Sequence, residues 1–366
     1  MRLRPPTPRK TRPSPGLLHE YAERLVAFEY SSSARIKPHT LLFIPGLGDG
    51  LGTVTYLTDI VAALEETEWS VFSPIISSSY GGWGTSGLGR DIDEIALCVE
   101  YILHYKRDAE AGSSPPGTGK VVIMGHSTGS QDVMQYISAS NPRHPHPVLD
   151  RGGAPVLRPQ VDGAVMQAPV SDRQAIQTVL KEGDERHTPQ QMQDIYDQAI
   201  SRAKRHTFED NGLDTILPLP LTAGIGYPET TAVSSRRFLS LASPDGPRVP
   251  GDDDLFSSDL GDERLRKTFG MIHGRGVLRG PQSLLVLYSG LDPTVPGWVD
   301  KEALMRRWRG VTDIERVYWH VESGIIPGAS HTLEGPGQVE QRRALMRKLT
   351  LFLFDVEHHD SPNRMF

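Results

Sequence analysis

Residues 121–129 read Val-Val-Ile-Met-Gly-His-Ser-Thr-Gly, an apolar run that breaks directly into Gly-x-Ser-x-Gly. Small residues on both sides of Ser127 let a strand and a helix meet at a tight turn, with the serine hydroxyl lifted clear of the backbone. A helical pattern then opens at Ser130-Gln131-Asp132 and continues through Tyr136 and Ile137. An ester-cleaving serine needs a base to take its proton, an acid to orient that base and N–H donors for the oxyanion. Candidates for each are present. The stretch 283–296 reads as a strand followed by a turn carrying Asp292, and Ile325-Ile-Pro-Gly-Ala-Ser-His331 brings a histidine out in a small-residue loop after the last predicted strand.

Taken singly, each residue has a plainer explanation: a solvent-facing serine in a Gly-rich turn, an aspartate capping a turn, an exposed loop histidine. Their order, Ser127…Asp292…His331, with each at the end of a predicted strand, is that of α/β-hydrolases. In that arrangement His331 deprotonates Ser127, then protonates the leaving alcohol and activates water, while Asp292 stays ionised and holds the imidazole. Asp172, just beyond an earlier strand, is a rival for the acid; it could instead bind substrate or pair with Arg173. The loop Leu41-Leu-Phe-Ile-Pro-Gly-Leu-Gly-Asp-Gly50 lacks the glycine spacing of a dinucleotide fingerprint, and Pro45 interrupts the strand end. In an α/β-hydrolase such a loop turns N–H groups toward the site. Leu47 and Thr128 are then the oxyanion donors, each typically worth roughly 3–4 kcal/mol of transition-state stabilisation. The glycine-rich Ser77-Ser-Ser-Tyr-Gly-Gly-Trp-Gly-Thr-Ser86 should border the same cleft, where Tyr80 and Trp83 could line the substrate pocket or simply pack the loop.

These residues require an α/β framework: a mostly parallel central sheet with helices on both faces. Leading antiparallel strands are expected within 19–32, and further strands over 40–44, 71–76, 120–124, 161–167, 283–288 and 316–321. Helical periodicity falls over 54–66, 92–106, 131–139, 300–308 and 339–354. Regularity fails over about a hundred residues after 171, too long for a structureless loop. The expected organisation is a core over 19–171 and 280–356, with a cap insertion over 172–279 seated at the carboxyl ends of the strands. A disordered basic Pro-rich tail (1–18) and a short C-terminal tail (357–366) complete the chain.

Composition narrows the partners. A net charge of −6 over 366 residues argues against a general nucleic-acid binder, and no apolar run is long enough to cross a membrane. The single Cys98 rules out an internal disulfide framework and suits a reducing, cytoplasmic setting. It falls in the helical pattern Ile95, Cys98, Val99, Ile102, which reads as a buried position rather than a reactive thiol. In the tail, Arg2, Arg4, Arg9, Lys10 and Arg12 occur among five prolines that oppose a targeting helix. His144 and His146 have no matching ligand cluster, and the chemistry needs neither cofactor nor metal.

Several segments resemble one mainly fungal and plant family of α/β-hydrolases, long of unknown function. They are Pro45-Gly-Leu-Gly-Asp-Gly50, Ser78-Ser-Tyr-Gly-Gly-Trp-Gly84, Gly125-His-Ser-Thr-Gly-Ser-Gln-Asp132, Gln167-Ala-Pro-Val-Ser-Asp-Arg173, Arg237-Phe-Leu-Ser-Leu-Ala-Ser-Pro-Asp-Gly246 and Asp252-Asp-Asp-Leu-Phe-Ser-Ser-Asp-Leu260. The family includes the intracellular fusarinine C esterase of moulds, and the similarity covers roughly 20–355. The resemblance implies a cytosolic serine esterase that opens the ester ring of a ferric hydroxamate siderophore, with Ser127, Asp292 and His331 as its triad. A carboxylesterase or lipase-like enzyme for another ester, and a non-hydrolytic ligand receptor, are the alternatives. Fusarinine C carries free amines, and Asp252, Asp253, Asp254 and Asp259 could attract them, unless they form an acidic loop without a ligand.

Overall fold

The computed structural model describes residues 13–31, 35–109, 119–146, 153–209 and 214–359. Most of the expected basic tail, parts of the Gly/Pro-rich excursions and the last residues of the C-terminal tail lie outside the described residues. Among the described residues, eight strands form one sheet: β1 (Gly16–Ala22), β2 (Leu25–Tyr30), β3 (His39–Ile44), β4 (Trp69–Ile75), β5 (Val121–His126), β6 (Gly163–Gln167), β7 (Leu284–Ser289) and β8 (Gly324–Ile326). Their order across the sheet is β1-β2-β4-β3-β5-β6-β7-β8. The β1/β2 and β2/β4 pairs are antiparallel and the others parallel. β1 begins at Gly16, within the segment assigned to the tail.

β5, β6 and β7 are buried along their whole length, as central parallel strands covered on both faces must be. Period-two alternation sorts their side chains. Leu41 and Phe43 face a layer built from α1 (Leu57–Ala63) and α11 (Val339–His358). Leu42 and Ile44 face α2 (Leu88–Ala109), α3 (Gly129–Ser138) and α10 (Lys301–Thr312). Cys98 lies in α2 and is fully buried. No helix of the described residues is long and apolar enough to cross a membrane.

Two expectations change. The strand expected over 316–321 is reduced to a single bridge, Trp319 to Leu284. The chain then turns, Ser323 N–H bonding His320 O (3.0 Å), and the Ser323 hydroxyl takes the Val286 N–H (3.1 Å) that a strand carbonyl would have accepted. Pairing resumes at β8. The insertion over 172–279 also packs as two parts. α4 (Asp172–Glu182), α5 (Pro189–Glu209), α6 (Leu219–Gly224) and α7 (Ser235–Ala242) share a small core of their own, centred on Phe238, Ile225 and Trp83. From Leu255 on, including α8 (Asp262–Lys267) and α9 (Ile272–Arg275), the apolar side chains join the main core beside α10.

Candidate active site

β5 ends at His126 and α3 starts at Gly129, so only two residues make the turn. Ser127 sits there at φ +57°, a left-handed conformation that costs a non-glycine residue about 1–2 kcal/mol. The surroundings hold it in place. Ser127 N–H donates to Gln167 O (3.0 Å), and the Ser130 hydroxyl bonds Gly125 O and Gln167 O, each at 3.0 Å. Crowding dictates the glycines. A Cβ at Gly129 would lie 2.3 Å from Ile44 O, and one at Gly46 would lie 2.9 Å from Ser127 Cβ.

His331 comes from the loop after β8 and Asp292 from the turn after β7. His331 Nε2 lies 2.8 Å from Ser127 Oγ, and its Nδ1 lies 2.6 Å from Asp292 Oδ2. An ionised carboxylate fixes the proton on Nδ1, leaving Nε2 free to accept from the serine hydroxyl. The other oxygen of Asp292 accepts from Thr294 N–H (2.9 Å) and Thr294 Oγ (2.7 Å). Burial pushes the Asp292 carboxyl upward, but the bond to His331, its charge and the Thr294 donors outweigh this and hold the pKa below the usual range. Asp172 is not part of this relay. Its Oδ2 accepts from the Gln131 amide (2.6 Å), and burial pushes its pKa up to about 6. Nor does Asp172 pair with Arg173, which binds Asp254 (2.8 Å) and Asp259 instead.

Leu47 and Thr128 both line the cavity beside Ser127, and neither backbone N–H has an acceptor among the described residues. The Leu47 loop is braced from behind, Asp49 N–H bonding Gly46 O (3.0 Å) and the Thr53 hydroxyl bonding Asp49 (2.8 Å). Trp83 is buried on the cavity wall against Tyr227. Tyr80 is elsewhere: it is 44% exposed, with its ring against Gly50 and its hydroxyl on Leu51 O (3.2 Å), so it does not line the cavity. The acidic stretch also departs from expectation. Asp253 and Asp254 are buried and ion-paired to Arg237 and Arg173, Asp259 shares Arg173, and only Asp252 is exposed and outside these pairs. A run of carboxylates in sequence carries no sign of the arginines that fold onto it.

Sequence reasoning gave no role to His126. Its Nδ1 donates to Gln167 Oε1 (2.6 Å), which also takes the Tyr56 hydroxyl (2.8 Å), and its ring packs 5.2 Å from that of His331. Burial pushes its pKa down to about 3, so it stays neutral beside His331. The cavity holds about 370 Å³ at the carboxyl ends of the strands, with α4 and Ile225–Pro228 forming its far wall. Among the described residues no three His, Cys, Asp or Glu side chains converge as metal ligands.

Residues 9–354 match the family described as "Protein of unknown function (DUF1749)". The chain belongs to this family. The chain is 68% identical over 366 residues to Esterase AN6793 of Emericella nidulans, covering 98% of this chain and 96% of that protein. It is 50% identical over 342 residues to Fusarinine C esterase sidJ of Aspergillus fumigatus, covering 93% and 95%. Siderophore hydrolase EstB from Aspergillus fumigatus superposes with a TM-score of 0.84 at 48% identity, covering 96% of this chain and 100% of that one. The fold of this family member is that of the α/β-hydrolases.

Proposed function

We propose that the protein is a cytoplasmic serine esterase that cleaves the ester bonds of a fusarinine C-type hydroxamate siderophore through an acyl-enzyme on Ser127. The protein is a carboxylic ester hydrolase. The observation that carries the serine mechanism is the unbroken relay Asp292–His331–Ser127 at the base of the cavity. The siderophore rests on the extent of similarity to the fusarinine C esterase and the siderophore hydrolase.

As Ser127 Oγ attacks the ester carbonyl, His331 Nε2 takes its proton and Leu47 and Thr128 N–H receive the oxyanion. His331 returns that proton to the leaving alcohol. It then draws a proton from the water that attacks the acyl carbon and passes it to Ser127 Oγ as the carboxylic acid leaves. Asp292 remains ionised and stabilises the imidazolium. Opening the ring loosens the hexadentate hold on Fe(III), which is cargo rather than cofactor.

Wild type and Ser127→Ala incubated with ferric fusarinine C, with products followed by mass spectrometry, test this reading. Linear fusarinines form with wild type and fall by on the order of 10⁴-fold or more in the variant. Cleavage of simple nitrophenyl esters with fusarinine C left intact discards the siderophore and keeps the esterase. Binding of fusarinine C without product from any ester discards the enzyme reading.

A further inference from the structure

α4 presents one face to the cavity: Asp172, Ala175, Ile176, Thr178, Val179 and Glu182. The face is acidic at both ends and mainly apolar between them. Ten residues at about 1.5 Å of rise separate the two carboxylates by roughly 15 Å along the helix. The remaining carboxylate on the lining, Asp49, is engaged by Thr53. No lysine or arginine stands among the described lining residues, and His126 is held neutral.

The deep carboxylate is distinguished by lining the cavity that holds Ser127 while lacking a counter-charge among the described residues. Asp253 is matched to Arg237, Asp254 to Arg173 and Glu29 to Lys106, whereas Asp91 and Asp132 are buried without an ion pair among the described residues but lie off this cavity lining. Asp172 is mostly buried yet has no ion pair among the described residues, although Arg173 adjoins it in sequence and is wholly engaged by Asp254 and Asp259. Its side-chain hydrogen-bond donor among the described residues is one neutral amide, from Gln131. A carboxylate buried without a cation costs stability unless a counter-charge arrives with a ligand. Glu182 is exposed, also without an ion pair among the described residues.

We infer that Asp172 and Glu182 are specificity-determining residues that select substrates carrying primary ammonium groups, Asp172 deep in the cavity and Glu182 nearer solvent. An ammonium offers three donors and the missing charge, and N-acetylation removes both. This selectivity takes over the role first expected of the 252–254 aspartates. It deepens the esterase reading and rests on catalysis in the same cavity, but not on the siderophore being the substrate.

The probes are the 4-nitrophenyl esters of 8-aminooctanoate and of 8-acetamidooctanoate, so the leaving group is the same. Wild type should prefer the free amine by about tenfold or more in kcat/KM, through KM. Asp172→Asn should bring that ratio close to one, Glu182→Gln should lower it severalfold, and Asp252→Asn should leave it as in wild type. Far-UV circular dichroism checks the fold of Asp172→Asn, and the exposed Glu182→Gln provides a second reading if that variant fails to fold. A wild-type ratio near one overturns the inference, as does an equal loss on both esters or an effect of Asp252→Asn matching that of Asp172→Asn. Amine selectivity in an enzyme that leaves fusarinine C intact would remove only the siderophore assignment.

Discussion

The charged form of Asp172 is disfavoured in the fold, so its retention has a stability cost that can be measured separately from activity. Its folded pKa lies near 6, above the unfolded carboxylate value near 3.8, because burial outweighs the Gln131 bond. The folded state therefore binds more protons than the unfolded state between pH 4 and 6, and stability falls as pH rises through that window. Asp172→Asn keeps an acceptor for Gln131 and removes the titration. We expect it to match wild type near pH 3.5 and to become more stable by roughly 1–2 kcal/mol at pH 7, as read by urea unfolding. A pH-independent difference would mean that the carboxylate is no more strained folded than unfolded. At this scale the sequence is legible for residues whose placement follows from local chemistry. Ser127 is marked by its flanking glycines, and Asp292 and His331 by their positions after predicted strands. For Tyr80 the sequence leaves pocket lining and loop packing open, and for the 252–254 aspartates it hides their burial, because exposure and pairing are tertiary facts: Arg237 meets Asp253 across 16 residues, and Arg173 meets Asp254 across 81.

Where two elements nearly touch, a single methyl group tests the geometry. α3 begins so close to the end of β3 that a side chain at Gly129 would meet Ile44 O at 2.3 Å and Pro45 O at 2.7 Å. Both obstacles are backbone, so neither can rotate aside. Gly129→Ala must push α3 away from the loop bearing Leu47, spreading the two N–H groups assigned to the oxyanion. A loss of about 1–3 kcal/mol in stability is expected, with kcat/KM down at least tenfold on any ester. Unchanged kcat in a folded variant would show that the two donors need not be held at this spacing. Elements were legible where periodicity was sustained, as in the long amphipathic run of α2 and the apolar runs of β5 and β7. The last strand was not, because Ser323 supplies from its side chain a hydrogen bond that periodicity assigns to backbone.

The insertion divides the molecule into a core with two apolar layers and a smaller apolar cluster above the strand ends, and a buried charge joins them. Arg237, on α7, donates to Trp83 O (3.0 Å) and pairs with Asp253 inside the protein. Asp91 on α2 and Asp132 on α3 lie within its field; burial pushes Asp91 up to about 6 and Asp132 well above the usual carboxylate range. One guanidinium therefore offsets carboxylates from three parts of the chain while anchoring the backbone of a cavity wall. Removing one partner of such a pair leaves the other charge buried, which costs about 3–5 kcal/mol, whereas exposed pairs contribute little. Arg237→Met should lose that much in urea unfolding and raise KM through the loosened Trp83. Asp253→Asn in the same chain should recover part of the stability, because the stranded charge is then gone. Lys204→Ala, which breaks the exposed pair with Asp245, should change stability by less than about 1 kcal/mol. If Arg237→Met cost no more than Lys204→Ala, α7 would have to be held by apolar packing around Phe238 alone, and the charge would have no part in seating the insertion.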